Sequence, residues 1–328
     1  MVRMSYNTVN CNWFFNWIFR WLYIMEIYKI TYLTKHIRYL YRPNIYLILN
    51  NILNICNIII YFFIYSMKYL GGKYMLGKDI SKVLLYIIKD KNVSGYIEPF
   101  CGALGVLKHI APHFNQVKAS DIHPDLIELW KVVKDGSFKP PNECNEQDYY
   151  RIKQLPSPNA LKAFVGFGCS FGGKYFSGYA QKYTGSKKEN FLQAATNSIN
   201  KLRPVVQNVD FKCISYYKLR PINKLIYCDP PYKSNTFPVK YRNHTKKYDV
   251  FDTEQFWDVM RRWSKNNIVV ISEIEAPTDF IVIFEKKKYR SISQSKKTRY
   301  KSKHTEKFSN EKLFIHKSLY HIIINKPT

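Results

Sequence analysis

Asp229-Pro230-Pro231-Tyr232 places an acid, two prolines and an aromatic directly after the apolar run Lys224-Leu225-Ile226-Tyr227-Cys228. The run reads as a buried strand. Proline fixes φ and lacks an N–H, so the tetrapeptide must turn a rigid corner rather than extend the sheet. That corner offers a carboxylate and a backbone carbonyl as acceptors, and a flat ring for stacking. A planar amino-heterocycle would suit it: the acceptors would engage an exocyclic NH2 while Tyr232 stacks on the base. Four residues recur by chance, so the meaning depends on what precedes them.

Two upstream stretches could serve a nucleoside cofactor. Ile97-Glu98-Pro99-Phe100-Cys101-Gly102 runs as a strand into a glycine turn at a helix start, where backbone can approach a ligand closely. Asp121 ends the next expected strand, about 20 residues on, where an acid can accept both ribose hydroxyls. The alternative role for Asp121 is capping the helix that begins at Pro124. Asp125 reads as a capping or solvent-facing acid. Further upstream, Tyr69 and Lys73 flank Gly71-Gly72. This is no phosphate-binding loop, because Tyr74 follows Lys73 and no strand precedes the glycines.

In order and spacing, these four motifs resemble the Dam-like (D12 class) DNA adenine-N6 methyltransferases, in particular the small versions carried by bacteriophages. The resemblance runs from about Met67 to the C-terminus. It implies a class I, Rossmann-like fold that uses S-adenosylmethionine. It implies that Tyr69 and Lys73 cover the cofactor's methionine end, that Glu98, Pro99, Phe100 and Gly102 form its main binding motif, and that Asp121 and Asp229 complete the site. The family motif reads F-x-G-x-G. Here Leu104 stands at the second glycine position and Gly105 follows one later.

Asp229, Pro230, Pro231 and Tyr232 would be catalytic. Adenine N6 is a poor nucleophile because its lone pair is delocalised. Hydrogen bonds from N6–H to Asp229 and to the Pro230 carbonyl would draw that pair out of conjugation, for in-line attack on a sulfonium methyl. Positioning and electrostatics would supply the rate, with no metal and no covalent enzyme intermediate. A stacked base cannot reach such a site, so the adenine must flip out of the duplex, at a cost of a few kcal/mol.

The elements that must carry these residues alternate. Helix spacing is expected over Asp79–Ile88 and Pro124–Val133, and near Thr253–Trp263. Strands are expected at Val93–Ile97, Val117–Ser120, Val209–Ile214, Leu225–Cys228 and Asn267–Ile271. Alternation of this kind predicts a doubly wound, mostly parallel α/β sheet. Residues 137–205 interrupt it with prolines and a glycine/aromatic stretch, where the resemblance places a small target-recognition insertion. Its Lys174 and Tyr175 are expected on DNA, with Lys162, Lys182, Lys187, Lys188, Phe171, Phe176 and Tyr179 suited to groove or phosphate contact. The run from Lys286 to Lys307 carries ten basic residues and one acid. Its Lys296, Lys297, Arg299 and Lys301 are expected on phosphates. Ser272-Glu273 and Glu311-Lys312-Leu313-Phe314 are assigned packing roles.

Composition bounds the partners. With 51 Lys+Arg against 24 Asp+Glu, the 328-residue chain carries a net charge of +27, which favours a polyanion, here double-stranded DNA. Seven scattered cysteines without C-x-x-C spacing suggest neither a disulfide framework nor a zinc site, and fit a reducing cytoplasm, bacterial or phage-infected. Residues 1–66 differ from the rest: no glycine, one proline (Pro43), one acid (Glu26), and an Asn-broken apolar run from Ile45 to Tyr65. They read as an AT-codon-biased extension before a true start at Met67, as a membrane anchor, or as a helical extension. The catalytic domain is then 67–328. A cognate restriction endonuclease is a possible partner. The rival readings are a catalytically silent DNA-binding protein of the same fold, a cytosine-N4 methyltransferase, and an enzyme acting on a non-DNA amide.

Overall fold

The computed structural model describes residues 73–181, 183–184, 187–231, 240–242, 248–289 and 308–321. Tyr69, Tyr232, Lys182, Lys296, Lys297, Arg299 and Lys301, and the whole of 1–66, lie outside the described residues. The compact unit that holds the described part spans Tyr65–Thr328.

The strands, in chain order, are β1 (Tyr96–Glu98), β2 (Val117–Asp121), β3 (Tyr183–Thr184), β4 (Lys187–Lys188), β5 (Val209–Cys213), β6 (Leu225–Cys228), β7 (Lys240–Arg242), β8 (Tyr248–Val250), β9 (Ile268–Glu273), β10 (Phe280–Tyr289) and β11 (Phe308–His316). The helices are α1 (Gly77–Ile87), α2 (Leu107–Ile110), α3 (Pro124–Lys134), α4 (Glu146–Lys153), α5 (Ala160–Gly168), α6 (Phe191–Leu202) and α7 (Thr253–Trp263). Seven strands form one sheet in the order β10-β11-β9-β6-β1-β2-β5. From β5 to β9 all neighbours are parallel, whereas β11 is antiparallel to both β9 and β10.

Parallel strands covered on both faces need continuous apolar sequence, and β6 and β9 are buried at every position. Alternate residues feed two cores. On one face Tyr96, Tyr227 and Val270 pack with Leu84, Leu107, Trp130 and Phe164. On the other, Ile97, Ile226 and Val269 meet Phe256, Met260 and Trp263 of α7. Each such large apolar side chain contributes about 1.5–3 kcal/mol when fully buried.

The chain steps outward from β1 through β2 to β5, then returns to lay β6 on the other side of β1. The order therefore reverses between β1 and β6. In open α/β sheets that reversal opens a crevice at the carboxyl ends of the strands, where ligands sit.

Two expectations shift. The helix foreseen from Gly102 starts only at Leu107, because Gly102 (φ 44°) and Leu104 (φ 59°) are both left-handed and hold the chain in a turn. The stretch 137–205 is also less separate than its composition suggests. Phe138, Tyr149, Ile152, Phe164, Val165, Leu192 and Ile199, largely from α4, α5 and α6, share one core with Leu126 and Trp130 of α3.

Candidate active site

Five side chains converge at the carboxyl edge of the sheet. Glu98 closes β1, Asp229 follows β6 and Glu273 closes β9. Glu311 reaches the same edge because β11 runs the opposite way, with Lys312 paired to Glu273. Lys73 enters ahead of α1. Its ammonium is only 4% exposed and lies 2.5 Å from Asp229 Oδ1 and 3.4 Å from Glu311 Oε1. Pro230 is buried and Pro231 half-buried, so the corner after Asp229 is fixed by packing as well as by its rings.

The charge balance at this edge is uneven. Burial pushes Glu98 up to about 8, helped by the charge of Asp229 and opposed by the hydroxyl of Tyr96, which donates to Glu98 Oε2 at 2.6 Å. Burial likewise takes Glu273 up to about 7, with the Ile274 N–H donating to its Oε1 at 2.8 Å. For Lys73 burial pulls downward, but Asp229 and Glu311 outweigh it and the ammonium ends above its usual range. Four carboxyl groups thus face one ammonium. Carrying all four as ions would be costly, in keeping with the raised Glu98 and Glu273, and perturbed carboxyls gathered at a strand edge make this a candidate functional site.

The glycine turn beside this cluster is held from two sides. Asp121 accepts N–H donors from Gly102 at 3.2 Å and from His123 at 3.0 Å. The Trp130 indole N–H of α3 donates to the Gly102 carbonyl at 2.9 Å. Gly105 lies against the backbone of Lys73: a Cβ there would sit 3.0 Å from its nitrogen. The shifted glycine thus carries the close approach, while Leu104 occupies the left-handed position at a cost of about 1–2 kcal/mol and is wholly buried. The α3 helix is capped by His123 Nδ1, which accepts from Leu126 N–H, and not by Asp121. Ile122, next to Asp121, is 55% exposed and offers an apolar surface at the strand end.

Of the expected cofactor residues, Lys73, Glu98, Pro99, Gly102, Asp121 and Asp229 gather here. Phe100 packs its ring against Tyr216, Phe256 and Phe251, at centroid distances of 5.1, 5.9 and 6.1 Å. In the 137–205 stretch Lys174 is exposed, whereas the Tyr175 hydroxyl donates to Asp125. Three readings need correction. Lys162 is buried and donates to the Leu155 carbonyl at 2.7 Å and to Ser157 Oγ at 3.1 Å, so it serves packing rather than DNA. Asp125 does not face solvent; it is fully buried and accepts from Ser157 Oγ, Asn159 N and Tyr175 Oη. Glu273 and Glu311 do more than pack: both carboxyls join the charged cluster. The sequence signal for Glu311 was a single acid in a β-rich run just after a strongly basic one. Among the described residues no group of His, Cys, Asp and Glu could hold a metal ion, and no helix is long and apolar enough to cross a membrane.

A family model for the D12 class of N6 adenine-specific DNA methyltransferases matches residues 69–162, the segment that carries Lys73, the glycine turn and Asp121. Over residues 69–162 the chain is therefore similar to the D12 class. Similarity to individual proteins extends further. The type II methyltransferase M.MjaIII of Methanocaldococcus jannaschii is 26% identical over 224 residues, covering 58% of this chain and 75% of the relative. The DNA adenine methylase of Haemophilus influenzae is 28% identical over 191 residues, covering 51% and 63%. Among solved structures, TrmN from Thermus thermophilus overlaps 72% of this chain and 48% of its own at 10% identity, but a TM-score of 0.30 carries no weight. The fold of this chain rests on its own strand order.

Proposed function

We propose that the chain transfers a methyl group from S-adenosylmethionine to N6 of an adenine flipped out of double-stranded DNA. The observation that carries this reading is Asp229 at the switch point of the sheet. Its carboxylate is only 18% exposed, held by Lys73 and followed by two prolines. A carboxylate so fixed is a pre-aimed acceptor for an exocyclic amine.

The cofactor fits this edge on electrostatic grounds. S-adenosylmethionine supplies an electrophilic methyl on a sulfonium, and its ammonium and carboxylate leave it with one net positive charge. Among the described residues Lys73 is the one ammonium beside Asp229, Glu98 and Glu273, and a cofactor with net positive charge would favour the ionised forms of Glu98 and Glu273, which burial holds up to about 8 and about 7. Asp121 would take the ribose hydroxyls, Ile122 would lie against the adenine ring of the cofactor, and Gly102 would let the backbone come close. At the reacting nitrogen, Asp229 Oδ and the Pro230 carbonyl would accept the two N6–H bonds, and Tyr232 would stack on the target base. The proton leaves N6 after methyl transfer, so Asp229 orients the amine and need not act as a strong base. The net charge of +27 supports a DNA substrate, with Lys174 and the Lys286–Lys307 run as phosphate contacts. A restriction endonuclease partner, a cytoplasmic site of action and a working start at Met67 belong to the same proposal.

The test is product analysis. The full chain and its Asp229→Ala variant are incubated with methyl-labelled S-adenosylmethionine and mixed-sequence duplex DNA, and the digested nucleosides are identified by mass. N6-methyladenine from the parent only, with a loss of at least about 10³-fold in the variant, is expected. N4-methylcytosine, or cofactor binding without any methylated base, overturns the assignment.

A further inference from the structure

Glu311 is the one acid of the cluster contributed by an antiparallel strand, and no step of the transfer above uses it. Its carboxyl is buried, and it shares the Lys73 ammonium with Asp229, at 3.4 Å against 2.5 Å. A buried lysine facing a single carboxylate would form a closed neutral pair and weaken that carboxylate as an acceptor. A second carboxylate on the same ammonium changes the balance. The trio keeps one net negative charge, and the lysine is held from two directions.

We propose that Glu311 is a positioning residue: acting through Lys73, it fixes the direction of the Asp229 carboxylate and preserves its strength as an acceptor for the target amine. This rests on the methyltransferase reading above and adds the C-terminal hairpin to the working site. Among the described residues the ionisable groups that face the trio are Glu98 from β1, Tyr227 and Cys228 from β6 and Glu273 from β9. Of these, Glu273 is pushed up first by burial, and then by the charges of Asp229 and Glu311. Removing the Glu311 charge therefore has a defined electrostatic signature. The ionisation near pH 7 moves to lower pH, whereas a purely structural loss leaves it in place.

The experiment uses the full chain and its Glu311→Gln, Lys73→Gln and double variants. Folding is checked by thermal unfolding, and steady-state methylation is followed from pH 5.5 to 9. Glu311→Gln keeps the size of the side chain. We expect kcat to fall about tenfold, with KM for cofactor and DNA within about threefold and the acid limb of the profile displaced downward. In the Lys73→Gln background, adding Glu311→Gln should cost less than about twofold further, because the two residues act in series. Unchanged kcat, an unmoved acid limb, or additive losses in the double variant overturn the proposal while leaving the methyltransferase reading intact. A parent chain that fails to methylate DNA, with cofactor bound, overturns both.

Discussion

Two acids four residues past a strand end or one residue past it have opposite fates in this molecule. Asp125, in the first turn of α3, is fully buried and accepts from a serine hydroxyl, a backbone N–H and a tyrosine hydroxyl of the 157–175 stretch. Asp229, just past β6, has a charged partner and lies among three further carboxyls. The first is an acid whose hydrogen bonds tie α3 to α5 and to the loop behind it. The second belongs to a cluster with more negative charge than its surroundings neutralise. A satisfied buried acid builds structure. One crowded by other carboxyls, with neighbours pushed up in pKa, marks a candidate site.

The contrast can be broken by exchanging the losses. Asp229→Ala should abolish turnover yet leave the melting temperature within about 3 °C, since it also relieves like-charge repulsion. Asp125→Ala should do the reverse. Three half-buried donors lose their acceptor, at about 3–5 kcal/mol together, and turnover per folded molecule should remain within a few fold. Thermal unfolding and active-site-normalised rates on the same preparations check both. A stable but inactive Asp125→Ala would erase the distinction.

A pH experiment sharpens it. Glu98 and Glu273 are raised to about 8 and about 7, chiefly by burial, whereas unfolded glutamate titrates near about 4.3. Between those values the folded protein holds more protons than the unfolded chain. Their contribution to stability is therefore full below about pH 4.3 and is lost as pH rises through 7 and 8. A cationic cofactor reverses the penalty by favouring the ionised carboxyls. The ligand-free melting temperature should fall from pH 6 to pH 8.5, and the increase produced by S-adenosylmethionine should be larger at pH 8.5. Equal increases at both pH values would show that these carboxyls do not face the cofactor's charge. The smallest expected effect lies far from the cluster: Lys286→Ala, which breaks the exposed pair with Asp79, should cost less than about 1 kcal/mol in denaturant unfolding.

Much of the frame was legible because its signals are local. Leu225–Cys228, Val117–Asp121, Pro124–Lys134 and Thr253–Trp263 follow from apolar runs, a helix-initiating proline and 3.6-residue spacing. Asp229 and Asp121 were legible because strand ends and their corner residues are marked in the chain itself. What escaped depends on partners distant in sequence. The pairing of Lys73 with Glu311 requires knowing that β11 runs against β9. The burial of Asp125 and Lys162 requires α4–α6 to join the main core, whereas proline and glycine content made that stretch read as an insertion. The delayed start of α2 follows from Leu104 adopting a left-handed conformation that its residue type disfavours.

The strand order has a consequence for how the protein is made. β10 leaves the ribosome before β11 yet ends at the sheet's rim, with β11 between it and β9. β10 therefore cannot settle on the growing sheet as it emerges. It waits for β11, pairs with it as an antiparallel ribbon, and the ribbon then docks through β11 alone. A nascent chain still lacking its last strand would already display Lys73, Asp121 and Asp229, but without the acid that completes their charge balance. Premature stops after β9 would therefore leave a chain without the Glu311 contact to Lys73 and without the ribbon that covers β9.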